Sequence, residues 1–218
     1  MNLMEIKEKI KNKINNLNLS NYDPKIIAVS KTFSEQDILP LIQYGHNDFG
    51  ENKVQEAQKK WTQIKENHKN LKLHMLGKLQ TNKVKNAVEV FDYIHSLDNL
   101  KLAKKISNEI QKKSKKIEIF IQVNLGGEQQ KSGINPSDLV LFYEDCLKLK
   151  LDIIGTMCIP PDNQDPKPFF ENLLKLNQKL NLSEISMGMT NDYLDALQYK
   201  STFLRIGTGI FGKRVKEF

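Results

Sequence analysis

A lysine closes the short apolar run Ile26-Ile27-Ala28-Val29-Ser30-Lys31, and an amine at the end of a buried strand has chemical consequences. Burial disfavours the ammonium form, so the pKa falls and a neutral nucleophile is left that condenses with an aldehyde. The same position also suits a solvated side chain at the rim of a barrel. Two further segments, Ser186-Met187-Gly188-Met189-Thr190 and Arg205-Ile206-Gly207-Thr208-Gly209, combine small residues with hydroxyls. Such loops offer O–H and backbone N–H donors to an anion, although their glycines equally serve tight turns. Arg205 lies inside the apolar run Phe203-Leu204-Arg205-Ile206-Gly207 and shares side-chain parity with Phe203 and Gly207. An arginine buried there needs an acceptor, either a barrel carboxylate or a ligand atom.

Other chemistries find no pattern. His46, His68, His74 and His95 lack metal-ligand spacing and read as structural or surface groups. Ser30 has no nucleophile-elbow context, and neither Cys146 nor Cys158 has a histidine partner visible in the sequence. Nothing places two carboxylates together at one site. Trp61 recurs with Val54, Ala57 and Ile64 at helical spacing and belongs to a core.

These residues must be held by an alternation of apolar runs and amphipathic segments. Strands are predicted at 26–30, 46–50, 73–76, 93–96, 117–124, 152–159, 184–187 and 203–207. Helices are predicted at 34–44, 53–67, 80–90, 99–114, 136–149, 166–180 and 191–199. An extra N-terminal helix over 2–18 carries Leu3, Ile6, Ile10, Ile14 and Leu17 at spacings of three or four. Asn135-Pro136 suits a helix start and Gly45 a helix stop. Eight strands with intervening helices predict an α/β fold, a single (βα)8 TIM barrel spanning 1–218. The rival doubly wound sheet would carry a glycine fingerprint after its first strand, where Ser30-Lys31-Thr32-Phe33 stands instead. In such a barrel the ligand lies at the C-terminal strand ends, and the loops after strands seven and eight commonly hold phosphate. Lys31, Ser186, Gly188, Met189, Thr190, Gly207 and Thr208 all fall at those ends.

Composition narrows the classes. The 218 residues are 39% hydrophobic and 27% charged, as in an ordinary globular protein, and no apolar stretch approaches membrane-spanning length. The N-terminus lacks the pattern of a secretory signal, and two cysteines in apolar contexts read as buried thiols. A cytoplasmic location is expected. The net charge of +7 raises nucleic-acid binding as a possible function, but the lysines are mixed with glutamates. The run Lys112-Lys113-Ser114-Lys115-Lys116 ends a predicted helix, where cations suit the dipole, with no aromatic residues interleaved for base stacking. A solvated face is the expectation, and no nucleic-acid or membrane partner.

Several stretches in register resemble the YggS/PROSC family of pyridoxal-phosphate-binding proteins, also called pyridoxal phosphate homeostasis proteins. They are Ala28-Val29-Ser30-Lys31-Thr32, Phe49-Gly50-Glu51-Asn52-Lys53-Val54-Gln55-Glu56 and His74-Met75-Leu76-Gly77-Lys78-Leu79-Gln80-Thr81-Asn82-Lys83. Val123-Asn124 with Glu128 and Lys131-Ser132-Gly133, then Met157 with Ile159-Pro160, follow in the same order. Ser186-Met187-Gly188-Met189-Thr190 with Asp192, and Arg205-Ile206-Gly207-Thr208 with Ile210-Phe211-Gly212, complete the series. The resemblance implies a barrel similar to the N-terminal domain of alanine racemase, with pyridoxal 5'-phosphate held as an aldimine on Lys31. It places Asn52, Ser186, Gly188, Met189, Thr190, Arg205, Gly207 and Thr208 around that cofactor. An arginine facing the pyridine nitrogen can only donate, so the ring stays unprotonated and is a poorer sink for a carbanion.

Two functions fit the resemblance. One is a carrier or buffer in vitamin B6 homeostasis that hands the cofactor to apo-enzymes; the other is a pyridoxal-phosphate-dependent amino-acid racemase. Racemisation needs a base on each face of the α-carbon, and the alanine-racemase-like enzymes bring a tyrosine from a second, β-rich domain. No such domain is expected in a sequence that closes at Phe218, so the carrier is favoured. Lys78 and Lys131 suit either cofactor transfer or simple solvation, and a monomer is the default.

Overall fold

A strand covered on both faces must be apolar throughout, which is how the central runs of this sequence read. In the computed structural model, which describes residues 2–127 and 132–212, these runs form eight parallel strands. They are β1 (Lys25–Val29), β2 (Asp48–Glu51), β3 (Lys72–Met75), β4 (Tyr93–Leu97), β5 (Glu118–Gln122), β6 (Asp152–Met157), β7 (Glu184–Met189) and β8 (Phe203–Ile206). The strands close in sequence order, with β8 returning to β1 in the register Ala28 to Ile206. The fold is the expected (βα)8 barrel.

Helices α1 (Asn2–Asn16), α2 (Glu35–Gln43), α3 (Val54–Asn67), α4 (Val84–Val90) and α5 (Leu100–Lys113) precede β5. After it come α6 (Leu139–Lys148), α7 (Lys167–Lys179), α8 (Tyr193–Ala196) and α9 (Thr208–Phe211). The extra N-terminal helix is present as α1, burying Leu3, Ile6 and Ile10. Ser34 and Asp37 form a reciprocal capping box that starts α2, and Gly45 at φ +89° follows its end. The span predicted at 136–149 opens as a 3-10 turn, Pro136–Asp138, with the Asn135 side chain accepting from the Ser137 N–H. The span 191–199 is only the single turn of α8 and a 3-10 turn, closed by Lys200 in the left-handed region.

Apolar packing falls in two layers. Between sheet and helices lie Phe49, Trp61, Phe91 and Phe170, all fully buried. Within the barrel Ile27, Tyr93, Phe120, Met157 and Phe203 form a separate cluster. Each such side chain contributes roughly 1.5–3 kcal/mol by leaving water. The lumen also takes two polar rings. His74 stacks on Tyr93 and His95 on Phe120, each at 4.2 Å between centroids, and Phe203 meets both histidines. Among the described residues no helix is long and apolar enough to cross a membrane.

Candidate functional site

The C-terminal ends of β1, β2, β7 and β8, with the loop after β6, enclose a cavity of about 620 Å³. Lys31, Asn52, Met189, Thr190, Arg205, Gly207 and Thr208 line it together. Ser186 and Gly188 are buried beneath that wall. Lys78 lines a neighbouring cavity with Asn52 and Asn124, while Glu128 and Lys131 lie outside the described residues.

Lys31 is half-buried, and the backbone on both sides of it is gripped from α3. Lys60 Nζ donates to the Ser30 carbonyl at 2.9 Å, and the Thr32 N–H donates to Glu56 Oε1 at 2.5 Å. Thr32 stands at φ +68°, strained for a β-branched residue. Beneath this turn Glu51 Oε1 accepts from Ser30 Oγ at 2.8 Å, from Lys60 at 3.0 Å and from Trp61 Nε1 at 3.0 Å. Lys60 also reaches Glu56 at 3.5 Å. Glu51 is fully buried, and its Oε2 has no hydrogen-bond partner among the described residues. Asn52 is held by a close approach of chains, since a Cβ on Gly77 would come within 2.4 Å of the Asn52 carbonyl oxygen.

Across the cavity a bulge shapes β7. Ser186 pairs with Phe203 and Met189 with Arg205, so three steps along β7 oppose two along β8. Gly188 at φ +89° permits this, and a Cβ there would lie 2.7 Å from that of Ala196. Asp192 Oδ1 accepts from the Met189 N–H at 2.5 Å and fixes the turn. The two loops are joined by hydroxyls. Thr208 Oγ1 lies 3.2 Å from Thr190 Oγ1, which also accepts from the Gly209 N–H at 3.3 Å. Because α8 and α9 are single turns, the polar groups at this rim are loop N–H groups and hydroxyls, with no long helix dipole behind them.

Arg205 is 4% exposed, and its acceptors are not carboxylates. Nη1 donates to Ser186 Oγ at 2.7 Å and Nη2 to the Cys158 carbonyl at 2.8 Å. Two of its five donors are thereby used, and others remain for the cavity. Burial lowers the Arg205 pKa. It pushes the Cys158 thiol up to about 12 and raises Asp192 as well. Both cysteines are buried and free, as their contexts indicated.

Three features escaped the sequence reading. Asp162, Asp192 and Asp195 gather at the mouth, although no carboxylate cluster was expected. Glu51 and Lys60 form a buried ion pair at 3.0 Å, and Trp61, rightly read as core, also donates to that carboxylate. His74 and His95 join the Ser186–Arg205 contact from within the lumen. Their position inside apolar strands was the available signal, the same one that marked Arg205.

Residues 5–215 match the family model for the alanine racemase N-terminal domain. The chain is 36% identical over 200 residues to the pyridoxal phosphate homeostasis protein of Aquifex aeolicus, covering 87% of each. It is 38% identical over 201 residues to that of Vibrio cholerae, covering 87% of this chain and 85% of the relative. The chain belongs to the pyridoxal phosphate homeostasis protein family. Among solved structures, PipY of Synechococcus elongatus, determined both without and with bound PLP, is 32% identical with a TM-score of 0.81. That match covers 93% of this chain and 100% of PipY. An alanine racemase of Clostridium difficile shares the barrel at 15% identity and a TM-score of 0.70, over 96% of this chain and 58% of the racemase.

Proposed function

We propose that this protein holds pyridoxal 5'-phosphate through a covalent link to Lys31 and serves intracellular vitamin B6 homeostasis without strong catalytic turnover. The observation that carries this reading is one cavity lined by an amine, a guanidinium and a hydroxyl-joined pair of loops. These donors fit the three handles of the cofactor: aldehyde, ring nitrogen and phosphate. Its volume of about 620 Å³ suits a small phosphorylated ring. That PipY has been determined with PLP bound supports the choice of ligand.

When bound, the cofactor supplies an electrophilic aldehyde and an electron-withdrawing ring. Lys31 provides the nucleophile, its root fixed by Lys60 and Glu56. Thr190 and Thr208, with the backbone N–H groups of Gly207 and Met189's loop, are the residues for the phosphate. Asn52 lines the same cavity as Lys31. Arg205 is the residue for the ring nitrogen. As a pure donor it keeps that atom unprotonated, which weakens the ring as a carbanion sink. Among the described lining residues there is no tyrosine, histidine or cysteine to act as a second base. Asp192 is engaged by Met189, and Asp195 lies 3.6 Å from Lys167.

The racemase alternative draws on the shared barrel and on the carboxylate of Asp162 at the mouth. Apo-enzymes that need the cofactor are the proposed recipients, and the protein is proposed to act as a cytoplasmic monomer. An absorbance spectrum of protein incubated with pyridoxal phosphate, followed by borohydride reduction and peptide mapping, tests the reading. The expected label is on Lys31, lost in Lys31→Ala, with negligible turnover of alanine or serine. Fast racemisation that disappears in Lys31→Ala would establish the racemase instead.

A further inference from the structure

A hydrogen-bonded chain runs through the lumen from Arg205 to the opposite end of the barrel. Arg205 Nη1 donates to Ser186 Oγ at 2.7 Å, and Ser186 Oγ lies 2.9 Å from His95 Nδ1. His95 Nε2 is 3.0 Å from His74 Nδ1, and His74 Nε2 is 3.1 Å from Asp48 Oδ1. Ser186, His95 and His74 are fully buried. Asp48, its side chain 23% exposed, lines a separate cavity of about 800 Å³ between α1 and the feet of β1 and β2.

The two ends fix the direction of every bond between them. A guanidinium can only donate and a carboxylate can only accept. Ser186, accepting from Arg205, donates its hydroxyl hydrogen bond to His95 Nδ1. His95 then carries its proton on Nε2 and donates to His74 Nδ1, and His74 donates from Nε2 to Asp48. Each ring nitrogen is used once, in neutral imidazoles of a single tautomer. Burial favours that form, since it is the main cause holding both histidines below their ordinary pKa. The rings cannot easily turn, because Tyr93, Phe120 and Phe203 pack on them.

We propose that Asp48, His74 and His95 are positioning residues for Arg205: the carboxylate at one end of the barrel selects the tautomers that turn Ser186 to accept from the guanidinium, and so aim its fork at the cavity. The aim toward a ring nitrogen rests on the cofactor reading above; the chain itself does not. Reversal of the His95 tautomer would set a second N–H against Ser186 Oγ, leaving the hydroxyl between two donors with no acceptor for its own proton, so its lone pairs would no longer be held toward Arg205.

Two measurements test this. Side-chain 15N NMR of the ligand-free protein at pH 7.5 reports the tautomers directly. Nε2–H is expected at both His74 and His95, and loss of the single His74 tautomer in Asp48→Ala. An Nδ1–H ring or an imidazolium at His95 would overturn the proposal. The second measurement titrates pyridoxal phosphate into wild type, His95→Phe, Asp48→Ala and Lys31→Ala, reading absorbance maximum and affinity. His95→Phe keeps a ring against Phe120 but removes both hydrogen bonds, and should weaken binding about tenfold and shift the maximum. Asp48→Ala should act in the same direction more weakly, and it carries the test if His95→Phe does not fold. Wild-type spectra and affinity in both folded variants would sink the proposal while leaving Lys31 as the attachment point. Absence of any cofactor band in wild type would remove the functional reading instead, and the tautomers would still decide the chain.

Discussion

Two polar clusters flank the cavity, one behind Lys31 and one behind Arg205, and they are built on opposite plans. The first lies between the sheet and α3 and is dense in charge, with Lys60 between Glu51 and Glu56. It holds backbone atoms, the Ser30 carbonyl and the Thr32 N–H. The second lies in the lumen, has charge only at its two ends, and holds a side chain. A buried ion pair is tolerated where each charge has partners on several sides, whereas a longer polar path through an apolar lumen is better made of neutral groups. The first cluster therefore fixes the backbone at the root of the amine, and the second fixes the tip of the guanidinium.

The comparison is broken most severely at Glu51. Glu51→Ala leaves Trp61 and Ser30 without their shared acceptor and Lys60 with only the longer pairing to Glu56, and breaking a buried pair by removing one partner costs about 3–5 kcal/mol. Urea unfolding should show that loss; a change under ~1 kcal/mol would mean the cluster does not hold the Lys31 turn.

A milder stress separates the clusters by pH. His74 and His95 have folded pKa values lowered mainly by burial, so the unfolded chain binds more protons once pH falls below about 6.5. Stability is therefore full above that value and declines as pH drops, by up to about 1.4 kcal/mol per unit for each histidine. His46 adds the same sign, so the share that belongs to His95 is the part of the slope that His95→Phe removes. Asp48, whose folded pKa is lowered, contributes in a separate window, losing its share only as pH falls below about 3.9. Thermal melts from pH 7.5 to 5.0 would check this, and an unchanged slope in His95→Phe would contradict it.

The smallest effect is local. Thr32→Gly removes left-handed strain next to Lys31 and should raise stability by about 1 kcal/mol after the added entropy of the unfolded chain. A lowered urea midpoint would show that the Thr32 side chain has a packing role that outweighs the strain.

The barrel was legible because its strands are buried on both faces and its helices keep a 3.6-residue period. Lys31 and Arg205 stood out because each is a charge placed inside or at the end of an apolar run. The lumen chain was not legible, since His74 and His95 are 21 residues apart in sequence and become neighbours only when β3 pairs with β4. The contact of Ser186 with both Arg205 and His95 was not legible either, since it joins β7 to β8 and β4. Helix 191–199 was overestimated because Tyr193, Ala196 and Leu197 bury at helical spacing across what are two short turns of different pitch.

The bulge in β7 lets one strand serve two storeys of the barrel: Ser186 belongs to the plugged interior, and Met189, an odd number of positions later, still opens onto the cavity. Deleting one residue between them would swap inside for outside over the rest of that strand. Anyone transplanting this rim onto another eight-stave scaffold must carry the surplus residue along with it.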